Sequence, residues 1–127
     1  TAIEAQSQLS DNNGLTLVIA ANYGGQWDIV QAAKQVAEAA IKGDINSEDI
    51  TVDSFSHYLS LNEEPAVDLL IRSSGELRIS NFLLWDIAYS EMYFTDTLWP
   101  DFGEVELNKA IENFNHRDRR FGARKEH

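Results

Sequence analysis

The sequence contains no cysteine among its 127 residues. Disulfides and thiolate metal sites are therefore excluded, and a reducing compartment, the cytoplasm, is the default expectation. No apolar run approaches the roughly 20 residues needed to span a bilayer, so a soluble or membrane-peripheral protein is expected. Basic residues are scarce: 10 Lys and Arg face 21 Asp and Glu, for a formal charge of −11. A chain this acidic repels nucleic acid, whose non-specific affinity comes from neutralising phosphates, so no nucleic-acid partner is expected. Internal repeats and low-complexity tracts are absent too. The three histidines, His57, His116 and His127, lack metal-ligand spacing and read as surface residues.

The scarce positive charge is unevenly placed. Residues 1–71 hold only Lys34 and Lys42 against eleven acids, whereas all six arginines, from Arg72 to Arg124, lie beyond. Clustered arginines on an acidic body suggest a local anion pocket. For the cations near the C-terminus, from Arg117 to Lys125, attraction to the negative end of a closing helix is an equal explanation.

Length fits one small domain or half of a larger one, and a hydrophobic content of 43% allows a core. Leu15–Ala21 reads as a buried strand after the turn Asp11-Asn12-Asn13-Gly14. Ile29, Val30, Ala33, Val36, Ala37, Ala40 and Ile41 recur at helical spacing, with Gly43 as the stop. Ile50–Leu61 reads as short helical pieces with Ser47 and Thr51 as N-caps. Val67–Ile71 is too brief for a helix and fits a fully buried strand, and a second short strand is expected around Met92–Thr95. Asp101 and Glu104 have capping-box spacing before a helix to about Arg119, with Leu107, Ala110, Ile111 and Phe114 as its apolar stripe. Alternating strands and helices imply an α/β fold with a parallel sheet and helices packed on it, whose ligands sit beyond the carboxyl ends of the strands.

Chemistry is densest from Asp68 to Glu91, DLLIRSSGELRISNFLLWDIAYSE. Gly75 permits a positive φ or a close approach to a ligand, and Ser73, Ser74 and Ser80 offer hydroxyl and backbone N–H donors. Arg72 and Arg78 flank that turn, and guanidinium forks match phosphate oxygens. A doubly phosphorylated ligand fits. The alternative is a structural ion-pair network of these arginines with Glu76, Asp86 or Asp68. Glu91 offers a hard oxygen ligand suited to Mg²⁺, or a partner for Arg72 or Arg78. Trp85, Tyr89, Tyr93, Phe94 and Trp99 suit a core or an interface better than an apolar tunnel.

This segment resembles the signature of the cis-prenyltransferases, in particular their bacterial undecaprenyl diphosphate synthase branch. Asp68, Arg72, Gly75, Glu76, Arg78, Ser80, Asn81, Phe82, Trp85, Tyr89 and Glu91 stand in register with it. Asp86 takes the place of a usual glutamine, and Leu77 that of a histidine found in some relatives. Upstream, Asn22-Tyr23-Gly24-Gly25 with Trp27-Asp28-Ile29 is similar to a second family element, with Gln26 replacing an arginine. Tyr93-Phe94, Trp99-Pro100-Asp101-Phe102 and Arg119-Arg120-Phe121-Gly122 match further elements, the last being an R-x-G motif.

The resemblance implies condensation of isopentenyl diphosphate onto an allylic (farnesyl) diphosphate with cis geometry, giving undecaprenyl diphosphate, the lipid carrier precursor of peptidoglycan and cell-wall synthesis. It implies that Arg72, Arg78 and Ser80 hold isopentenyl diphosphate, that Glu76 and Asn81 orient them, that Glu91 meets Mg²⁺, and that Arg120 and Gly122 complete a neighbour's site in a homodimer. The family's glycine-bearing loop with its catalytic aspartate, M-D-G-N-G-R-W-A in outline, has no counterpart here. The chain is thus expected to be the C-terminal half, residues 1–127, of a single catalytic domain, inactive alone, with the N-terminal half of the same protein as partner and no catalytic residue of its own. A cytoplasmic enzyme is implied, peripheral at the inner membrane where its lipid product leaves. Two alternatives stay open: a non-catalytic subunit of a heteromeric prenyltransferase, and a generic phosphate-binding α/β module.

Overall fold

The computed structural model describes Ser7, Ser10, Asp11 and residues 13–117. The first long element is helix α1, Gly25–Lys42. It ends as the sequence indicates: Gly43 adopts φ 80°, and the N–H groups of Gly43 and Asp44 bond to the carbonyls of Ala40 and Ala39. Its buried side matches the predicted stripe only at Val36, with Ile29 half-buried. Gly25, Asp28, Ala32 and Val36 face inward, while Val30, Ala33, Ala37 and Ile41 are exposed. Two apolar faces compete on this helix, and the described residues cover only one.

Short local motifs follow. A 3₁₀ turn at Ser47–Asp49 is capped by Asn46 rather than by Ser47, with the Asp49 carboxylate accepting the Asn46 N–H at 2.9 Å. Asn46 already has the extended backbone that a cap requires, which leaves Ser47 inside the turn. Helix α2, Val52–Ser56, carries the expected cap: the Thr51 hydroxyl accepts the Ser54 N–H, and the Ser54 hydroxyl accepts the Thr51 N–H.

Strands β1, Leu69–Arg72, and β2, Glu91–Phe94, form a parallel pair with Leu69 opposite Glu91 and Arg72 opposite Phe94. The α/β expectation holds in this respect, but both strands are half-buried rather than enclosed. Leu15–Ala21 is not a strand: it is irregular and exposed, with Leu15 at 88%. A strand needs a hydrogen-bonded neighbour, and among the described residues this apolar run has none.

Beyond β2, Trp99–Asp101 makes a 3₁₀ turn, and helix α3, Glu104–Asn115, starts after Gly103 without a side-chain cap. The Asp101–Glu104 capping box does not form, because Asp101 is itself inside the preceding turn. Ala110 is fully buried, whereas Leu107 and Ile111 are about two-fifths exposed. The buried apolar set is small: Ala32, Val36, Leu59, Leu83, Ile87 and Ala110. Two of these, Leu83 and Ile87, lie in the crossover between β1 and β2, the segment that carries the signature.

Candidate functional site

Parallel pairing places the carboxyl ends of β1 and β2 side by side, so Arg72 and Phe94 open one edge of the molecule. The turn after Arg72 folds back onto the extension of β2. Ser74 N–H donates to the Thr97 carbonyl at 2.9 Å and Gly75 N–H to that of Thr95 at 3.0 Å. These two donors are therefore spent on the sheet extension and unavailable to an anion. Gly75 does adopt a positive φ, 69°, and a Cβ there would lie 3.1 Å from Asp96 Oδ1.

The arginines differ. Arg78 pairs with Glu76 at 2.6 Å in an exposed ion pair. Arg72 is half-buried, and its guanidinium has no ion-pair or hydrogen-bond partner among the described residues. Ser80 is exposed in a left-handed conformation, φ 48°. Glu91 pairs with neither of the arginines expected for it. Arg117, just past α3, donates to its Oε2 at 2.8 Å and to the Met92 carbonyl at 3.0 Å. Arg120 and Gly122 lie outside the described residues.

Asn81 has a role that spacing could not reveal. Its carbonyl accepts the Gly25 N–H at 2.6 Å and its side-chain oxygen accepts the Gln26 N–H at 2.9 Å. It thus caps α1 across 55 residues of sequence, where Gly24 supplies no side chain to do so. The glycines permit the approach. A Cβ on Gly24 would sit 2.9 Å from Asn81 Nδ2, and one on Gly25 2.7 Å from Leu84 Cγ. Ser80, Asn81 and Leu83 all have positive φ, so strain is concentrated where the two sequence motifs interlock.

Asp28, unlike Asn81, was not among the site residues expected from the sequence. It is 3% exposed and accepts the Tyr23 hydroxyl at 2.9 Å, the Ser60 hydroxyl at 2.7 Å and the Ser60 N–H at 3.1 Å. Desolvation first, then the bond to Asp28, pushes the Tyr23 phenol well above its usual range, so it stays a donor. Replacing Asp28 by asparagine removes one of these charged acceptors and is expected to cost about 1–2 kcal/mol, read from urea unfolding of the full-length protein.

Of the other aromatics, two pairs pack ring on ring, while Tyr89 and Trp99 are largely exposed. Trp85 packs on Phe55 with ring centroids 4.9 Å apart, and Trp99 stacks on Phe102 at 5.9 Å. Among the described residues no group of three His, Asp or Glu could enclose a metal ion. Glu91 alone does not make a magnesium cage; it can contribute one oxygen ligand, since Arg117 holds only the other. No described helix is long and apolar enough to cross a membrane.

A prenyltransferase family model, described as undecaprenyl diphosphate synthase, matches residues 1–122. The chain belongs to this family. A ditrans,polycis-undecaprenyl-diphosphate synthase of Haemophilus influenzae, specific for (2E,6E)-farnesyl diphosphate, is 56% identical over 119 residues, 94% of this chain and 50% of the relative. The corresponding Vibrio vulnificus protein is 54% identical over 120 residues, 94% and 48% of the two chains. Among solved structures, lavandulyl diphosphate synthase from Lavandula x intermedia, in complex with dimethylallyl diphosphate, superposes with TM-score 0.89 at 40% identity, covering 94% of this chain and 52% of that one. A probable undecaprenyl diphosphate synthase from Campylobacter jejuni gives 0.77 at 31%, covering 94% and 53%. The chain spans about half the length of the curated relatives it matches.

Proposed function

We propose that this chain is the C-terminal half of a cis-prenyltransferase domain and carries its isopentenyl diphosphate site. Family membership supports the reaction class, and the names of the curated relatives support farnesyl diphosphate as allylic substrate and undecaprenyl diphosphate as product. Arg72 is the observation that carries the site: a half-buried guanidinium at the end of a parallel strand with no side-chain partner among the described residues. Buried cations without counter-charge are costly, so an anionic ligand is the natural complement. Arg78 and Ser80 join it from the following turn. The exposed pair of Arg78 with Glu76 is worth little and exchanges readily for phosphate.

In this reaction the allylic C–O bond breaks, diphosphate leaves, and a carbon–carbon bond forms to the isopentenyl alkene with loss of a proton. The described residues supply positioning and anion stabilisation. Glu91 is the carboxylate we assign to a Mg²⁺ shell completed by substrate phosphates and water. When bound, that ion neutralises charge on the departing diphosphate.

Further residues and the other half of the domain complete the assignment. Arg120 and Gly122 would serve the neighbouring site of a homodimer. Exposed Leu15, Leu17 and Ile19 suit a face that the N-terminal half covers, together with the catalytic aspartate which that half is expected to bring. A cytoplasmic enzyme that touches the inner membrane only to release its lipid product, for peptidoglycan synthesis, fits this reading.

The test is turnover. Purified full-length protein supplied with farnesyl diphosphate, labelled isopentenyl diphosphate and Mg²⁺ is expected to make long polyprenyl diphosphates with cis double bonds. Product only after addition of a different prenyltransferase polypeptide would favour the non-catalytic subunit, and no incorporation in either case would overturn the reading.

A further inference from the structure

The turn formed by residues 79–88 seats against the N-terminus of α1 through Asn81, and buried Leu83 and Ile87 anchor it, with Ile87 N–H bonded to the Leu83 carbonyl at 3.0 Å. Between those anchors stands half-buried Asp86, whose Oδ2 is itself buried and has no hydrogen-bond partner among the described residues. No described neighbour is placed to correct this. Asp28, from α1, has committed its oxygens to Tyr23 and Ser60. Tyr23, ahead of α1, lies close enough to feel the charge of Asp86, and the ionisable Glu64 and Tyr89 line with it a cleft of about 570 Å³. No described lysine or arginine lines that cleft.

We propose that Asp86 is a proton-sensitive positioning residue: gain or loss of its proton sets how tightly the 79–88 turn holds the N-terminus of α1. A neutral carboxyl tolerates this site. A carboxylate adds a second negative charge near Asp28 and buries an oxygen that no donor satisfies. Desolvation raises the Asp86 carboxyl above its ordinary value of 3.8; its own backbone N–H opposes this and the Asp28 charge adds to it. The folded protein therefore binds more protons than the unfolded chain. The contribution of Asp86 to stability is full on the acid side, falls as pH rises from the ordinary carboxylate value through the raised one, and then levels off.

The consequence reaches the candidate site through Asn81. Ionisation of Asp86 loosens the turn, the Gly25 and Gln26 amides lose their cap, and the Asn22–Gly25 loop loses its seat.

Amide hydrogen exchange of the full-length protein tests this without any assay of prenyl transfer, so its failure leaves the functional assignment standing. Protection factors at Gly25 and Gln26, corrected for intrinsic exchange, are followed from about pH 4 to about pH 8. In the wild type they are expected to fall about tenfold across the titration, whereas in Asp86→Asn they stay level. A level wild-type profile, or the same fall in both proteins, overturns the proposal. Should Asp86→Asn not fold, carbon NMR of the wild-type Asp86 carboxyl decides: titration above the ordinary aspartate range supports it, and titration within that range overturns it.

Discussion

Replacing Arg72 by alanine in the full-length protein is expected to raise the KM for isopentenyl diphosphate between about thirtyfold and a hundredfold, while the KM for the allylic substrate changes little. The magnitude follows from a charged, two-pronged contact worth about 2–3 kcal/mol, at roughly 1.4 kcal/mol per factor of ten. Folding stability should hardly move, because the Arg72 side chain bonds to nothing else described in the protein. That separation distinguishes a ligand contact from a structural one. Arg78→Ala should give a smaller rise, since Arg78 must first leave Glu76. Arg72→Lys keeps the charge but loses the fork, and an intermediate KM is expected.

The second large effect concerns Gly25→Ala. Helix propensity alone favours alanine by up to about 1 kcal/mol. The packing argues the other way and wins. The new Cβ would meet the Leu84 backbone nitrogen at 2.9 Å and the Asn81 carbonyl at 3.0 Å, and neither backbone atom can swing aside like a side-chain tip. Relief requires parting α1 from the signature turn, with loss of both Asn81 caps. A net destabilisation of about 3 kcal/mol is expected from urea unfolding, with prenyl transfer impaired as well. A variant as stable as the wild type would show that the interlock does not hold the two motifs together.

Some local signals were legible in the sequence, although the Ser47 cap and the Asp101–Glu104 capping box did not form. Gly43 as the stop of α1 and Thr51 as the cap of α2 depend on neighbours within a few residues, and both formed. The parallel pairing of β1 and β2 followed from two short apolar runs separated by a long crossover. Leu15–Ala21 has strand composition, yet a strand exists only with a ladder partner. The apolar stripe read along α1 held at Val36 but not at Val30 and Ile41, which the described residues leave largely exposed.

At the candidate site, Arg72, Arg78 and Ser80 were singled out from their residue types, and Glu76 and Asn81 only through the resemblance. What the spacing could not convey was which partners they meet. Asn81 reaches Gly25 and Gln26 over 55 residues, and Glu91 meets Arg117 over 26. The Ser74 N–H read as a free donor and is spent on Thr97. Asp28 stood out in the sequence only as part of the Trp27-Asp28-Ile29 element, and its burial with three donors emerges only in three dimensions.

A crystal structure of the full-length protein with isopentenyl diphosphate and Mg²⁺ tests the site assignment most directly. The assignment predicts the diphosphate within hydrogen-bonding reach of the Arg72 and Arg78 guanidinium groups and the Ser80 hydroxyl, with the Glu76–Arg78 pair opened. A diphosphate bound elsewhere, with Arg72 left without a ligand, would contradict it.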